Sequence, residues 1–393
     1  MSEWKECSIG DLLDIKHGFA FKGENITSEP TENVLVTPGN FHIGGGFKYS
    51  KFKYYNGNYP EEYVLQGGDI VVTMTDLSKE SDTLGYSAKI PYDTGVKYLH
   101  NQRIGLLKIQ SKEVIPDFIY WLMRTDEYHG FIVGGASGTS IMHTSPSRIK
   151  EYTFSLPPLP EQRAIASVLS SLDVKIDLLH RQNKTLEAMA ETLFRQWFVE
   201  ERNEWWEERP LSSVANFLNG LACQKIPPKN ELDKLPVLKI KELSNGISEL
   251  SDWATSEVNH EYIVQTGDVI FAWSASLMVK VWDGEKCVLN QHLFKVSSDK
   301  FPKWFYLAWC KHHLAEFVSI SSSHATTMGH IKRGDLDKAK VLIPSDKELI
   351  NMSELMTPLL NKQIENAKQI RALEKLHDIL LPKLISGEIK VKV

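Results

Sequence analysis

The chain of 393 residues lacks several features that would place it in a familiar class. It has no run of 18 or more apolar residues, so no membrane-spanning helix is predicted. Its 4 cysteines are scattered without a C-x-x-C pair, which argues against a disulfide framework or zinc knuckle and fits a reducing cytoplasm. The first residues show no basic segment followed by an apolar one, so no secretory signal is expected.

The chain also lacks an excess of positive charge, since 45 Lys and Arg residues stand against 50 Asp and Glu residues and the formal net charge is -5. A protein that coats nucleic acid through bulk charge is therefore excluded, although a local basic face is compatible with this balance.

Catalytic motifs are missing as well. The sequence has no Walker-type phosphate loop and no strand followed by a Gly-x-Gly turn. Its histidines lack the spacing of a metal site with a third ligand. Residues 388–390 (EIK) have the spacing of a nuclease Glu-x-Lys pair, but no acidic partner is evident. We therefore expect no catalysis, no bound cofactor and no metal site on this chain.

What the sequence does contain is a long internal repeat. Residues 67–71 (GGDIV) return as 266–270 (TGDVI), and residues 115–121 (IPDFIYW) return as 301–307 (FPKWFYL). The offset is roughly 190 residues, far above the 20–50 of solenoid repeats. The chain is thus predicted to be a duplicated unit made of a globular domain followed by a helix.

Both globular parts are predicted to be mixed α/β (α+β). Strands are expected at residues 33–36, 69–73 and 104–109, and in the second copy at 235–240, 268–273 and 292–296, because these runs are β-rich and bounded by Gly, Pro or Asn. One helix is expected in each copy, and each is followed by a polar loop. The helices and loops are predicted at residues 117–131, 134–140, 303–318 and 319–329.

Heptad patterns follow each globular part. Residues 161–197 carry an unbroken apolar seam. The second helix starts with a capping box (SDKE, 345–348) and carries a looser seam over residues 356–384, which slips by one residue after Ala367. Each helix would be roughly 55 Å long. We expect the two to pack as an antiparallel coiled coil, with the predicted seam at Ile165, Leu169, Leu172, Ile176, Leu179, Asn183, Leu186, Leu193, Leu360, Ile364, Ile370, Leu373 and Leu380.

This pattern divides the chain into four segments. They are a globular domain at residues 1–155, a central helix at 156–205, a second globular domain at 206–343, and a helix with a closing segment at 344–393. The polar Asn183 on the seam either sets the register of the helices or marks a hydrated defect or partner contact.

Two polar stretches recur at matching places. The first is Asn101-Gln102-Arg103 against Asn290-Gln291-His292. These side chains either read base edges, as Asn and Gln do with adenine and Arg with guanine, or cap a turn and hold the loop to the sheet. The second stretch aligns residues 138–145 with 325–332 on a Gly/Ser loop that suits phosphate oxygens or base edges, or is simply solvated.

A third stretch, residues 48–55 (KYSKFKYY), alternates cations with aromatics. It fits either a nucleic-acid face or an amphipathic strand with its lysines in water. The candidate DNA-binding residues are therefore Lys48, Lys51, Lys53, Asn101, Gln102, Arg103, Thr139, Ser140, His143, Arg148, Asn290, Gln291, His292, Thr326, Thr327, His330, Lys332 and Arg333.

Together these features resemble the specificity subunit of type I restriction–modification systems. The resemblance covers essentially the whole length. Beyond the repeat, it rests on the helix entry at residues 156–165 (LPPLPEQRAI), the Gly-Asp motifs at Asp69 and Asp268, and the closing segment at 380–389 (LLPKLISGEI). The second helix starts differently, at residues 343–348 (IPSDKE), so the partner contacts that Glu161 and Gln162 would make are not expected at that end.

The resemblance implies that the two globular domains are target-recognition domains. Each would read one half of a split, asymmetric sequence in double-stranded DNA, while the helices set the spacing and dock modification subunits, of which two are expected. S-adenosylmethionine, ATP and Mg²⁺ would be bound by the modification and restriction subunits. The complex is expected in the cytoplasm, without a membrane partner.

Three alternatives are open at this point. A stand-alone two-headed DNA-binding scaffold or regulator would purify without a methylase partner. A catalytic methyltransferase or nuclease would bind S-adenosylmethionine by itself, or cut DNA. A purely structural coiled-coil linker would leave the two globular repeats unexplained.

Overall fold

The structure is a computed structural model that describes residues 4–76, 78, 81–138, 141–323 and 329–392. The chain forms two compact units. Unit 1 comprises residues 1–174 and 375–393, and unit 2 comprises residues 175–374. Because these units divide both long helices, the four predicted segments stay a prediction. No helix in the described part of the chain is long and apolar enough to cross a membrane.

In its described residues, unit 1 contains short strands, three complete helices, the start of a fourth that continues into unit 2, and the end of the last helix of the chain. Its strands are β1 Lys5–Ser8, β2 Leu13–His17, β3 Ile26–Thr27, β4 Asn33–Val36, β5 Lys53–Tyr55, β6 Val64–Leu65, β7 Ile70–Thr73, β8 Thr75–Asp76, β9 Ser87–Lys89, β10 Lys97–His100, β11 Ile104–Ile109, β12 Met142–His143 and β13 Thr153–Leu156. Its helices are α1 Pro116–Leu122, α2 Asp126–Gly134, α3 Pro146–Lys150 and α4 Leu159–Arg195.

Two sheets and a helical layer give unit 1 its core. The sheet orders are β3-β5-β4-β10-β6 and β2-β11-β7-β9. Strand β7 is buried on both faces: Val71 belongs to the apolar cluster with the five-stranded sheet, whereas Ile70 and Val72 belong to the cluster with α1 and α4. Because side chains alternate along a strand, the four-stranded sheet is the middle layer.

Unit 2 repeats this order of elements. Its strands are β14 Glu207–Pro210, β15 Asn216–Asn219, β16 Leu235–Leu238, β17 Trp253–Ala254, β18 Ile263–Val264, β19 Val269–Ala272, β20 Met278–Val281, β21 Cys287–Leu289, β22 Leu293–Ser297 and β23 Lys340–Ile343. Its helices are α5 Leu211–Val214, α6 Ile240–Asn245, α7 Lys303–His312, α8 Leu314–Ser323, α9 Arg333–Lys338 and α10 Asp346–Ile385, which ends in unit 1.

The middle layer of unit 2 has the same construction. Its sheet order is β15-β22-β19-β20, beside a second sheet β17-β16-β21-β18. On β19, Ile270 faces the cluster with the second sheet and Phe271 faces the cluster with α7 and α10. The predicted mixed α/β repeat is therefore confirmed.

The Gly-Asp motifs are turns that lead into the middle sheets. The Asp69 carboxylate accepts a hydrogen bond from the backbone N–H of Gln66 (2.9 Å), and Asp268 accepts one from Gln265 (2.9 Å). The glycine before each aspartate has a φ of 89° or 98°, a conformation that side-chain-bearing residues rarely adopt. The motif is thus explained by turn geometry.

The predicted seam matches the burial pattern of both long helices. Ile165, Leu169 and Leu179 are buried on α4, as are Leu360 and Ile370 on α10. The remaining seam residues are half-buried at Leu172, Ile176, Asn183, Leu186, Leu193, Ile364, Leu373 and Leu380. The capping box at α10 forms as expected, since Ser345 and Glu348 exchange hydrogen bonds.

The helices pack together within each unit. In unit 1, Ile165 and Leu169 share one apolar cluster with Leu381 and Leu384. In unit 2, the carbonyl oxygen of the Asn183 side chain accepts from the Asn366 amide at 2.9 Å, while its NH₂ group donates to the Gln363 carbonyl at 3.3 Å. The early turns of α4 thus meet the last turns of α10, as an antiparallel pair requires, and Asn183 has the contact expected of a register-setting residue.

The helix entry motif serves packing inside unit 1. The Gln162 side chain is fully buried: its NH₂ donates to the carbonyls of Glu113 (2.8 Å) and Pro157 (2.7 Å), and its oxygen accepts from Ile115 (3.0 Å). Glu161 accepts from the Trp4 indole at 3.1 Å. Both side chains are therefore occupied within the chain, a use that sequence reasoning, which treated them as partner contacts, did not anticipate.

The second helix entry has its own equivalent of one of these contacts. Glu348 accepts from the Trp206 indole at 2.9 Å. Although the sequence motif is lost, the tryptophan-to-glutamate hydrogen bond is kept.

Two predicted helices are wrong in length, because each is split. Residues 117–131 form α1 and α2, with Thr125 capping the second through a hydrogen bond from the Tyr128 N–H (3.3 Å). Residues 303–318 form α7 and part of α8, with His313 between them. The predicted loops at 134–140 and 319–329 also start too early, since α2 ends at Gly134 and α8 at Ser323.

Candidate nucleic-acid interface

In each unit the two recurring polar stretches meet at one end of the middle sheet. We call the group Thr75, Gln102, Arg103 and His143 the polar edge of unit 1. The polar edge of unit 2 is the group Trp273, Ser274, Gln291, His292 and His330. Most of these residues lie beside the ends of neighbouring strands, β7 and β11 in unit 1 and β19 and β22 in unit 2, so stretches far apart in sequence become one surface.

The polar edge of unit 1 is held by short backbone contacts. The N–H of Met74 donates to the Arg103 carbonyl (2.9 Å), and the N–H of Thr144 donates to the Met74 carbonyl (3.0 Å). The Thr75 hydroxyl lies 3.1 Å from Nδ1 of His143. Gln102, Arg103 and His143 are exposed, so amide, guanidinium and imidazole groups are presented together.

The polar edge of unit 2 has the same backbone frame and other side chains. The N–H of Ile331 donates to the Trp273 carbonyl (3.0 Å), and Ser274 bridges to His330. The Ser274 hydroxyl lies 3.3 Å from Nδ1 of His292. The predicted alignment of His143 with His330 is therefore confirmed, since each pairs with the second residue after β7 or β19, Thr75 or Ser274.

The asparagine side chains of the first stretch cap the turn in which they lie. The Asn101 side chain accepts from the N–H of Arg103 (3.1 Å), and the Asn290 side chain accepts from that of His292 (3.3 Å). Both asparagines are buried. The turn-capping interpretation of the Asn-Gln pair therefore holds for the asparagine. The glutamine is exposed in unit 1 and half-buried in unit 2.

Glycine allows a second stretch of backbone to approach this turn closely in both units. A Cβ atom on Gly18 would lie 2.1 Å from the Asn101 carbonyl oxygen, and one on Gly220 would lie 2.2 Å from that of Asn290. No side chain fits at such distances, so the two backbones touch directly.

The lysine-rich stretch belongs to the five-stranded sheet of unit 1. Lys53 is exposed on β5, whereas Tyr55, two residues later on the same face of the strand, is fully buried, so exposure along β5 does not alternate as in an amphipathic strand. Lys51 is exposed in the preceding turn with a φ of 55°. Lys48 is half-buried and its N–H donates to the Asn40 carbonyl (2.7 Å). These lysines therefore do not form part of the polar edge.

The other basic candidates differ in whether their charged groups already have partners within the unit. Arg148 lies 3.5 Å over the Phe131 ring and donates to the Phe131 carbonyl (3.0 Å) and to Glu151 (3.3 Å), so its guanidinium is largely used inside the unit. Lys332 and Arg333 are exposed at the start of α9. The candidates Thr139, Ser140, Thr326 and Thr327 lie outside the described residues.

Sequence reasoning missed three members of the edges. Thr75 and Ser274 were not singled out, although both follow a predicted strand. Trp273 was placed at the end of a strand without a role. The repeat contained a signal for it, because the equivalent residue of the first copy is Met74, which is buried, whereas Trp273 is half-exposed.

Metal ligation is not indicated in the part of the chain that the structure describes. Among those residues, no three His, Cys, Asp or Glu side chains are arranged to hold a metal ion.

Known proteins share this architecture. The family model for the type I restriction modification DNA specificity domain matches residues 1–188 and 203–375. The chain is 26% identical over 309 residues to the type I restriction enzyme MjaIX specificity subunit of Methanocaldococcus jannaschii, an alignment that covers 72% of this chain and 71% of that protein. It is 20% identical over 478 aligned positions to the HindI specificity subunit of Haemophilus influenzae, covering 99% and 100%.

A solved structure shows the same fold. The crystal structure of a type I restriction-modification system S subunit from M. genitalium superposes with a TM-score of 0.60 at 16% identity, covering 97% of this chain and 96% of that one. The chain therefore belongs to the family of type I restriction modification DNA specificity domains, and it carries that domain twice.

Proposed function

We propose that this chain is the DNA-specificity subunit of a type I restriction–modification complex. Unit 1 and unit 2 each read one half of an asymmetric, bipartite sequence in double-stranded DNA. The observation that carries this proposal is the pair of polar edges, which occupy equivalent places in a duplicated frame but present different side chains. Arg103 stands where unit 2 has His292, so the two edges suit different base pairs.

The chemistry is assigned to partner subunits. Two modification subunits would bring S-adenosylmethionine and methylate adenine, and restriction subunits would bring ATP and Mg²⁺. This chain would supply recognition and no catalytic group. A formal net charge of -5 is tolerable in such a complex, because the partners can supply much of the attraction to phosphates.

The long helices are assigned the role of a spacer and a docking surface. Helix α4 has its first residues in unit 1 and its last in unit 2 without interruption. Inserting one heptad between Leu172 and Leu186 is expected to change the tolerated gap between half-sites while each half-site sequence is retained. Altered half-sites with an unchanged gap would contradict the spacer role.

Mapping DNA methylation in a host that expresses this chain with its modification subunit tests the whole proposal. The expected result is a new adenine-methylated motif made of two short sequences separated by a fixed gap, absent from the host that expresses the modification subunit alone. Purification of the chain with no methylase partner, together with an unchanged methylome, would instead support a stand-alone DNA-binding protein.

A further inference from the structure

On the polar edge of unit 2, the side chain of Trp273 is held in place by contacts to its N–H and to one face of its ring. Its indole N–H donates to the side-chain oxygen of Asn219 at 3.1 Å. One side of the ring system packs on Phe294, with centroids 5.6 Å apart and an interplanar angle of 26°. Since indole has a single donor and no acceptor, the half-exposed remainder of the side chain offers only an apolar ring.

The side chains next to Trp273 are also held by contacts. The His292 ring lies 6.1 Å and the His330 ring 6.3 Å from the indole. Nδ1 of His292 is 3.3 Å from the Ser274 hydroxyl, and its Nε2 is 3.3 Å from the Gln291 amide nitrogen. Both ring nitrogens of His292 therefore have partners, while the Gln291 carbonyl oxygen and its second N–H remain as an acceptor and donor pair.

This combination matches one feature of duplex DNA. Along the major groove the thymine C5-methyl is the apolar group presented at a base edge, and adenine opposite it offers N7 and N6, the bidentate partners of a glutamine amide. An unstacked base would also suit an aromatic ring, but extrusion from a duplex costs a few kcal/mol, whereas the methyl is accessible without deformation.

We infer that Trp273 is a specificity-determining residue that contacts the methyl group of a thymine in the half-site read by unit 2. The inference rests on the proposed function and deepens it by naming the base group recognised. Among the described residues of unit 1 no such contact is offered at the polar edge, because Met74 in the equivalent position is buried and the exposed members are Gln102, Arg103 and His143.

Replacing thymine by deoxyuracil removes only that methyl group and therefore isolates the contact. The assembled modification complex is first used to find its target by methylation mapping. Binding is then measured on duplexes in which each thymine of the bipartite target is replaced singly by deoxyuracil. At one position in the unit 2 half-site the dissociation constant is expected to rise about 5- to 10-fold, the low end for one good base contact.

Variants connect the effect to the side chain. In Trp273→Ala the penalty for deoxyuracil at that position should fall to about 1-fold, whereas Trp273→Phe, which keeps an apolar ring, should retain it. Trp205→Ala is the matched control, because Trp205 is 92% exposed and lies outside the polar edge. Its deoxyuracil penalty should equal that of the unmodified protein.

The outcomes separate the inference from the proposed function. If the complex binds its bipartite target but no thymine in the unit 2 half-site responds to deoxyuracil, or if the penalty persists in Trp273→Ala, the role of Trp273 is overturned while half-site recognition stands. If the complex binds and methylates no bipartite sequence, the proposed function fails and the inference fails with it.

Discussion

Units 1 and 2 share the residues that build their frame and differ at the residues that the frame presents. Asn101 and Asn290 make the same buried turn cap, next to Gly18 and Gly220. At the polar edges, by contrast, Arg103 is replaced by His292 and the buried Met74 by Trp273. In a duplicated recognition protein, the residues that recur in both copies therefore build the scaffold. The exposed residues that differ between the copies are those that discriminate between ligands.

The same contrast extends below the surface. At equivalent positions, unit 1 buries His100 and unit 2 buries Leu289. The long helix of unit 1 begins next to the buried Gln162, whereas that of unit 2 begins with the exposed N-cap Ser345. In unit 1, Ile165 and Leu169 of α4 share an apolar cluster with Leu381 and Leu384 of α10, whereas in unit 2 the two helices also contact through the Asn183–Asn366 pair. Each of these differences predicts a different response in the two units.

The helix entries should give the largest difference in stability. Gln162→Ala leaves the N–H of Ile115 and the carbonyls of Glu113 and Pro157 without their partner. Because an orphaned buried group costs about 1–3 kcal/mol, unit 1 should lose about 4 kcal/mol. Ser345→Ala should cost unit 2 only about 1 kcal/mol, as for other helix caps.

Hydrogen exchange of peptides from each unit measures the two losses separately. Arg163→Ala is the control, since this exposed neighbour of Gln162 should leave exchange nearly unchanged. Equal losses of stability for Gln162→Ala and Ser345→Ala would show that the buried Gln162 hydrogen bonds stabilise the protein no more than the exposed Ser345 cap.

Acid should destabilise unit 1 by somewhat less than Gln162→Ala does. Burial lowers the pKa of His100 from 6.5 to about 4, although a hydrogen bond to the Ile104 carbonyl opposes this shift. The folded state therefore favours the neutral ring. Its contribution is fully present above about pH 6.5 and is lost as the pH falls towards 4, because the unfolded chain then binds a proton that the folded chain excludes.

This loss amounts to about 3 kcal/mol, at 1.36 kcal/mol for each unit of pKa. His100→Leu, which copies Leu289 of unit 2, should flatten the dependence of unit 1 stability on pH between 6.5 and 4. Thermal unfolding followed across this range compares the two proteins. A variant with the same slope as the unmodified protein would exclude His100 as the cause.

The asparagine pair should have the smallest effect of the three. Asn366 is fully buried and donates to Asn183 (2.9 Å) and to Gln182 (3.4 Å). Asn183→Leu removes the shorter of these hydrogen bonds and should destabilise unit 2 by about 2 kcal/mol. The double variant Asn183→Leu/Asn366→Leu should recover most of this loss, since replacing both partners by apolar groups is nearly neutral. Thermal unfolding of the single and double variants measures the coupling, and two additive losses would show that the pair does not interact.

Periodicity and turn chemistry predicted much of the fold. Strands β4 and β11 have the predicted bounds, and the heptad seam describes the buried side of α4. The slip after Ala367 marked a real irregularity, because Asn366 beside it is the fully buried member of the polar pair. These features depend on neighbours a few residues apart, which a sequence shows directly.

One failure had a local signal, whereas the others arose where distant contacts decide. The split between α1 and α2 had a local signal, Thr125 followed by Asp126 and Glu127, which apolar spacing concealed. The split at His313 had no Gly or Pro to mark it. The burial of Gln162 and the orientation of Trp273 depend on partners at Glu113 and Asn219, so no pattern within either segment could reveal them.

The central claim is that each unit reads its own half-site, and exchanging one recognition domain tests it most directly. Residues 1–155 are replaced by the corresponding domain of another specificity subunit, and methylated motifs are mapped before and after. We expect the half-site read by unit 1 to change completely, while the other half-site is unaltered. A motif in which both half-sites change would contradict the independent reading of DNA by two units.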